Sequence, residues 1–401
     1  MSVGIAEDRA QGMGLGAWRG VASAFCASLV GIGLARFAYT PLLPAIIAAH
    51  WFPAAAAAYL GAANLAGYLA GALLGRRMAT HISTPAAIKS MMLLATLTFF
   101  ASAMPVSFLW FFVWRFASGL AGGVLMVLAA PAVLAHVPAA RRGQAGGMIF
   151  MGVGLGVVAS GTLVPLLLKA GLVATWVGLG ALSLLMTMFA WRGWPSDAQA
   201  HAAAPAQHRQ PHPLGVLRAL YAEYALNAAG LVPHMIFLVV FVAQGLGLGL
   251  QMGAFYWVLF GIGATAGPLL VGHLADRIGF RTALRLAFGI EAVMVLMPAL
   301  THAPVLLGLS SLVVGAFTPG IVPLVLGRLH ELLPHHPAEQ KAAWSRATVS
   351  FALFQAAGAY GLSFVFAHGA GYEVLFIIGA LALALSLAID LMAGAMRRRV
   401  G

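Results

Sequence analysis

The sequence is poor in charge. Only 8% of its 401 residues are Asp, Glu, Lys or Arg, whereas 62% are hydrophobic. A soluble protein carries about a quarter charged residues, because its surface faces water. The deficit excludes an ordinary soluble globular protein and indicates a chain whose surface faces lipid.

Cysteine and phosphate-binding motifs are also scarce. Cys26 is the single cysteine, which excludes a disulfide framework and a cysteine metal site. No Gly-rich loop ending in Lys-Ser/Thr is present, which argues against an ATP-driven pump. Histidines occur in short groups without acidic neighbours, so we expect neither a metal site nor a cofactor. The polar start, Met1 to Ala17, precedes an apolar run too long for the core of a cleavable signal.

What the sequence has in abundance is long apolar segments. A bilayer core of about 30 Å needs about 20 apolar residues in a helix, and lipid offers no partners for exposed backbone groups. We predict twelve membrane-spanning helices, numbered here as segments 1 to 12. They are Trp18–Ile47, Pro53–Gly75, Ala86–Met104, Phe108–Ala130, Ala145–Lys169, Leu172–Trp191, Leu217–Gln244, Met252–Ala275, Thr282–Leu300, Val305–Leu329, Trp344–His368 and Tyr372–Met396.

A polar, proline-broken stretch divides these segments into two equal sets. It runs from Trp194 to Pro213, and its composition cannot bury enough apolar surface to pack, so we expect a mobile linker. The predicted fold is an all-α membrane protein with two pseudo-symmetric six-helix bundles, 1–193 and 214–401, and the linker 194–213 between them. We expect a monomer.

The basic residues predict the orientation in the membrane. With a cytoplasmic N-terminus, five of the turns predicted to lie outside, around His50, Pro105, Gln251, His302 and His368, carry no Lys or Arg, and Lys169 lies at the outer end of segment 5. We therefore expect both termini in the cytoplasm and a multi-pass protein of the bacterial inner membrane. The orientation in the membrane then accounts for the net charge of +12. Nucleic-acid binding is not expected, because no basic stretch is interleaved with aromatics on a soluble face.

The turn after segment 8 contains a motif that reads Gly272-His-Leu-Ala-Asp276-Arg277-Ile-Gly279-Phe-Arg281. Gly272 is expected to let segment 8 approach a neighbour closely, and Gly279 to permit a turn with positive φ. This motif resembles the signature loop of the major facilitator superfamily, whose aspartate helps to close the cytoplasmic mouth. The resemblance implies a gating role for the loop. The matching turn of the first half, Gly71 to Arg77, has no acidic residue.

The first two segments carry a narrower resemblance. Segment 1 contains Gly31-Ile-Gly33-Leu-Ala-Arg36-Phe37-Ala-Tyr39-Thr40-Pro41-Leu-Leu-Pro44, and segment 2 contains Asn64-Leu-Ala-Gly67-Tyr68-Leu-Ala-Gly71. Both are similar to the YbfB/YjiJ family of the major facilitator superfamily, and the resemblance extends over nearly the whole chain. It implies a transporter without indicating the cargo. Segment 4 adds Arg115-Phe-Ala-Ser-Gly119, which looks like an Arg-x-x-x-Gly pattern of the superfamily.

Arg36 is the most informative residue of segment 1. A charge within the hydrocarbon costs about 2.5–3.5 kcal/mol on insertion scales, so it faces the interior and marks a functional site by default. Pro41 and Pro44 loosen the helix nearby and expose backbone carbonyls. Two interpretations stay open: an anion site in a central cavity, or an arginine paired permanently with a carboxylate or carbonyls. The predicted substrate-binding residues are Arg36, Tyr39, Asn64, Tyr68, Arg115, His234 and Gln355.

Segment 7 carries a polar stripe. Glu223, Asn227, Gly230 and His234 fall at i, i+4, i+7 and i+11, on one face of an apolar helix. Glutamate and histidine can change protonation near neutral pH, so the stripe is interpreted either as a proton path through Glu223 and His234 or as a satisfied hydrogen-bond stripe. Glu291 in segment 9 is expected to have a structural partner, because segment 9 of the superfamily tends to lie outside the cavity.

These features predict a secondary active transporter of a small organic solute that works by alternating access and is coupled to protons. The alternative is a membrane-embedded enzyme, such as a transferase acting on a lipid-soluble substrate. An enzyme needs a clustered catalytic set near one interface. The nearest candidate is Asp276 with His273, and the signature loop accounts for that pair better.

Overall fold

The computed structural model describes residues 14–134, 136–137, 142–195, 214–333 and 337–400. Most residues in these ranges are helical, and twelve helices are long and apolar enough to cross a membrane. This confirms the predicted all-α membrane fold. The helices are α1 Leu15–Ala48, α2 Ala54–Ile82, α3 Thr84–Ser102, α4 Phe108–Leu134, α5 Arg142–Leu167, α6 Leu172–Ala190, α7 Gly215–Gly245, α8 Gly249–Ile278, α9 Phe280–Leu300, α10 Pro304–Leu332, α11 Pro337–Ala367 and α12 Tyr372–Val400.

The predicted segments match these helices within a few residues, except where helices continue beyond the apolar core. α2 extends to Ile82 and α11 begins at Pro337, each about two turns beyond its predicted segment. Hydropathy detects only the part of a helix that lies in lipid, so such extensions are invisible to it. The predicted linker lies outside the described residues from position 196 onward, and the division into 1–193 and 214–401 stays a prediction.

The helix contacts repeat with an offset of six. In the first half, α2 packs on α4, α1 on α5 and α3 on α6; in the second, α8 packs on α10, α7 on α11 and α9 on α12. Between the halves, α5 packs on α8 and α2 on α11. Each of these pairs maps onto another by adding six, which is the relation expected of two pseudo-symmetric bundles.

The exposed surface of the helices is apolar, unlike that of a soluble protein. Leu185, Met188 and Phe189 of α6 are each more than half exposed, as is Leu381 of α12. α6 and α12 lie at the periphery of the helix packing, where their apolar side chains would meet acyl chains. The polar residues face inward, so the chemistry of this protein is concentrated between the helices.

Small residues let the helices pack closely. On α5, a Cβ built on Gly152 would meet the carbonyl of Phe25, and Gly156 lies against Gly33 of α1. Ser160, on the same face, accepts a hydrogen bond of 3.0 Å from the indole of Trp257 on α8. This face of α5 therefore packs closely and joins α1, α5 and α8.

Gly119→Ala is expected to destabilise the protein strongly. Gly119 of α4 lies so close to α2 that an added Cβ would collide with the backbone carbonyl of Asn64. Because a backbone cannot swing aside, we expect a cost of at least about 2 kcal/mol and a lower melting temperature in detergent. Gly361→Ala on α11 is the matched control, since nothing lies within 4 Å of its added Cβ. Equal melting temperatures of the two variants would contradict the close α2–α4 contact.

The helices α1 and α7 are irregular at corresponding places. α1 passes into a π-helical stretch at Leu29–Leu34, turns at 35–38 and resumes at Tyr39–Ala48. α7 is π-helical at Pro233–Phe237 and again at Phe241–Gly245. Such interruptions free backbone carbonyls and frequently occur at functional sites. The loosening predicted for α1 is present, although it begins before Pro41.

Candidate functional site

The break in α1 releases a backbone carbonyl that α4 binds. The Ala35 carbonyl accepts hydrogen bonds of 2.9 Å from Arg115 Nη1 and from Ser118 Oγ. The Arg115 guanidinium also lies over the Tyr39 ring, at 4.3 Å from its centroid. Arg115 is only 3% exposed. We call these contacts the Arg115 anchor, because they tie α4 to the broken helix α1.

Asn64 and Tyr39 complete this anchor. Asn64 Nδ2 donates to the Arg115 carbonyl and to Ser118 Oγ, both at 3.2 Å. The Tyr39 hydroxyl donates to the Ala57 carbonyl of α2 at 2.8 Å. Three of the predicted substrate-binding residues, Tyr39, Asn64 and Arg115, therefore contact each other and hold α1, α2 and α4 together. Their predicted role in binding cargo remains a prediction.

Arg115→Gln is expected to lower the melting temperature more than Arg36→Gln does. The change removes a charge-assisted hydrogen bond to Ala35 and the stacking on Tyr39, worth about 1.5–3 kcal/mol. Arg36 makes no comparable hydrogen bond, so Arg36→Gln is the matched control, in which the same residue type is replaced. The measurement is thermal unfolding of the two purified variants in one detergent. An equal or reversed ranking would contradict the anchoring role.

Arg36 lies within the same break of α1 but has a different environment. Its guanidinium is 5.1 Å from the ring centroids of both Phe37 and Tyr68. Its nearest acceptor is the sulfur of Met235 on α7, 3.8 Å from Nη2, and its Nε has no partner. The side chain is half-buried. A thioether is a weak acceptor, so the charge of Arg36 is held by two aromatic faces and is poorly satisfied.

The same sulfur joins Arg36 to the second half of the chain. Gln355 Nε2 of α11 lies 3.6 Å from Met235 Sδ, and Gln355 Oε1 has no partner although the residue is 1% exposed. Arg36, Tyr68, Met235 and Gln355 therefore form one group between the two halves, which we call the Arg36 site. Met235 was not among the predicted residues, because a methionine in an apolar helix carries no sequence signal for such a position.

The sequence itself shows that few acidic residues are available to pair with Arg36. Between residues 14 and 195 the chain contains no Asp or Glu. The first half therefore has no carboxylate in that range to pair with Arg36 or Arg115, and no ion pair of either residue occurs in the part of the chain described. Of the two interpretations of Arg36, permanent pairing with a carboxylate or with carbonyls is not what the described residues show.

The polar stripe of α7 faces the interior of the second half. Asn227 Nδ2 donates to Glu291 Oε2 of α9 at 2.7 Å. His234 Nε2 pairs with Ser310 Oγ of α10 at 2.8 Å, and the His234 ring meets Phe376 of α12 edge-on. The structural partner expected for Glu291 is thus Asn227. His234 lies among α9, α10 and α12, not with the Arg36 site, and its predicted role in binding cargo stays a prediction.

Glu223 lies at the inner end of this stripe. It is 3% exposed and borders a small cavity lined by Arg281, Arg328 and Asp390. Asp390 of α12 forms an ion pair with Arg285, and its Oδ1 is 3.6 Å from Arg281 Nε. The sequence suggested no particular role for Asp390, whereas the structure makes it the carboxylate that holds two arginines of α9.

The motif at the α8–α9 turn is partly as predicted. Gly279 has a φ of 82° between the two helices, which confirms that the turn needs positive φ. The role predicted for Gly272 is wrong, because none of the described residues comes within 4 Å of a Cβ built there. Arg277 is exposed, and the Asp276 side chain lies outside the described part of the structure. The gating role of this loop stays a prediction.

The two halves also meet at the end of the molecule predicted to be outside. Thr40 Oγ1 donates to the Met235 carbonyl at 2.5 Å, and Gln244 Nε2 donates to the Pro44 carbonyl at 3.1 Å. Both bonds join α1 to α7, and Pro44 and Gln244 also line a groove of about 830 Å³.

Comparison with known proteins places this arrangement in context. A family model described as an uncharacterised MFS-type transporter YbfB matches residues 28–391. No curated protein matches the chain. Among solved structures, a crystal structure of a D-xylose-proton symporter is similar with a TM-score of 0.74. The two chains are 15% identical, and the match covers 92% of this chain and 97% of the symporter. At that identity the similarity concerns the fold alone.

Proposed function

The chain belongs to the MFS-type transporter family described by YbfB, and on this premise we propose that it carries a small organic anion across the bacterial inner membrane, driven by protons. Family and fold indicate a transporter rather than the membrane-embedded enzyme considered as the alternative. The anion is proposed to bind at the Arg36 site. The proposed cargo is small and negatively charged.

The observation that carries this proposal is the poorly satisfied charge of Arg36. A guanidinium within the membrane is costly unless it is paired, and the nearest acceptor of Arg36 is a thioether. The first half supplies no Asp or Glu between residues 14 and 195. A carboxylate, sulfonate or phosphate ester would supply the missing acceptors, and a guanidinium is suited to bind such groups through two parallel hydrogen bonds.

The position of the Arg36 site supports alternating access. It lies between the two halves, and Met235, which contacts Arg36, also binds Thr40 of α1 through its carbonyl. An anion that displaced the Met235 sulfur from Arg36 would therefore act directly on the α1–α7 contact. The basic turns support a cytoplasmic position for both termini. We propose that the protein is a monomer.

Proton coupling is proposed on the buried carboxylates of the second half. Glu223 and Glu291 are 3% and 0% exposed, and each lies on the inward-facing side of its helix. In membrane helices such residues commonly mark proton relays.

The experiment for the proposed function is transport by purified protein in liposomes. Vesicles with an imposed pH gradient are mixed with labelled organic anions and with their uncharged amides. We expect accumulation of at least one anion, its dependence on the pH gradient, and no transport of the matching amide. Accumulation driven by a sodium gradient alone, or transport of the amide at the same rate, would overturn the proposal.

A further inference from the structure

The pairing of Asn227 with Glu291 points to a proton-binding site inside the second half of the molecule. We propose that Glu291 binds a proton on Oε1, that this O–H donates a hydrogen bond to Asn227 Oδ1, and that this carboxyl is a proton carrier of the transport cycle. The binding of the proton stands on the local geometry. The carrier role rests on the proposed function.

Two atoms of one hydrogen-bonded pair have no partner. Asn227 Nδ2 donates to Glu291 Oε2 at 2.7 Å, while Asn227 Oδ1 and Glu291 Oε1 have no partner. Both residues are 0% exposed. Two acceptors cannot bond to each other, and a buried acceptor without a donor is unfavourable. One proton on Glu291 satisfies both, because a carboxylic acid and an amide can exchange two hydrogen bonds.

None of the residues that the structure describes supplies a free cation to neutralise Glu291 instead. The ionisable groups on the helices around it are otherwise engaged or lie at the inner end: Arg285 and Arg281 are held by Asp390, Arg328 is paired with Glu331, Glu223 borders the inner cavity, and His234 is bonded to Ser310. An ionised carboxylate at 0% exposure with a single amide donor is poorly stabilised. A bound proton removes that charge.

Polar groups lead to Glu291 from both ends of the bundle. Toward the inner end, Glu223 lies one turn before Asn227 on α7 and borders the cavity with Asp390. Toward the outer end, Met294 is one turn beyond Glu291, and its carbonyl accepts from Ser310 at 2.6 Å, which in turn pairs with His234.

A proton passed from Glu223 to Glu291 breaks one O–H bond and forms another. Glu223 is left as a carboxylate and Glu291 becomes neutral. The path therefore runs through the body of the second half, beside the Arg36 site.

The test is infrared difference spectroscopy of the purified protein in lipid. A protonated carboxyl has a carbonyl band apart from that of a carboxylate, so no cargo is required. We expect the parent to show this band at neutral pH, Glu291→Gln to lose one carboxyl component, and Asn227→Leu to shift it. Glu373→Gln, in the first turn of α12, is the matched control and should leave the band unchanged. Gln can keep both hydrogen bonds to Asn227, so the variant is expected to fold.

The carrier role is read separately in liposomes. Glu291→Gln should lose accumulation driven by a pH gradient and keep counterflow exchange of the labelled anion. A parent spectrum without the band, or a band unchanged by Glu291→Gln, would overturn proton binding whatever the protein transports. A lost band with undiminished accumulation would overturn the carrier role and leave the proposed function intact. If the parent transports no anion, the proposed function fails while the spectrum still decides whether Glu291 binds a proton.

Discussion

Arg36→Gln is expected to abolish transport of the anion while the protein inserts and folds normally. Glutamine is shorter and uncharged, so the cargo loses its charge-assisted hydrogen bonds. These are worth about 1.5–3 kcal/mol, which corresponds to a loss of affinity of roughly 10- to 150-fold. Folding should be spared, because the nearest acceptor of Arg36 is the Met235 sulfur at 3.8 Å. The measurement is uptake by proteoliposomes, with the melting temperature recorded for each preparation.

Two further variants make this result specific. Arg36→Lys should retain part of the transport, since a point charge substitutes partly for the planar guanidinium, though not at a bidentate site. Lys169→Gln, at the exposed end of the helix that follows α5, removes the same charge far from the Arg36 site and should transport like the parent. An Arg36→Gln protein that transports as well as the parent would show that Arg36 does not bind the cargo.

Glu223→Gln is expected to abolish accumulation against a gradient and to spare counterflow exchange. Exchange of one labelled cargo molecule for another requires no net proton movement, whereas accumulation does. Glu223 lies where a proton from the inner side would first meet the α7 stripe, in the cavity with Arg281 and Asp390. Replacing the carboxyl by an amide keeps the shape and removes the exchangeable proton. Uptake is measured with and without an imposed pH gradient.

The control for this variant is Glu373→Gln, which changes a carboxyl in the first turn of α12. It should accumulate the anion like the parent. If Glu223→Gln still concentrates the anion under a pH gradient, protons enter by another route. A parent that ignores the pH gradient and follows a sodium gradient would contradict proton coupling altogether.

The helices of this fold could be predicted from the sequence because lipid imposes a simple rule. Each span needs about 20 apolar residues, and all twelve predicted segments coincide with helices. The stripe of Glu223, Asn227 and His234 was predictable for the same reason, since helical periodicity places them on one face. Periodicity does not say what that face meets. Only the packing of α7 shows that it faces α9, α10 and α12.

The candidate site was less predictable. Arg36 and Arg115 look equivalent as intramembrane arginines, yet one binds a released carbonyl and the other contacts a sulfur and two rings. That difference depends on where α1 breaks, which the positions of Pro41 and Pro44 indicate only approximately. The role predicted for Gly272 failed for a similar reason: a glycine in a motif does not identify its neighbour.

The anion site is tested most directly by comparing charged and uncharged ligands on two proteins. The melting temperatures of the parent and Arg36→Gln are measured with carboxylates, sulfonates and phosphate esters, each beside its neutral amide or alcohol. A ligand that binds the folded state raises the melting temperature, and the shift grows with the ratio of its concentration to its Kd. The result predicted is a shift of the parent by an anion that is absent with its neutral partner and absent in Arg36→Gln. Equal shifts by the neutral partner, or an undiminished shift in Arg36→Gln, would contradict an anion site at Arg36.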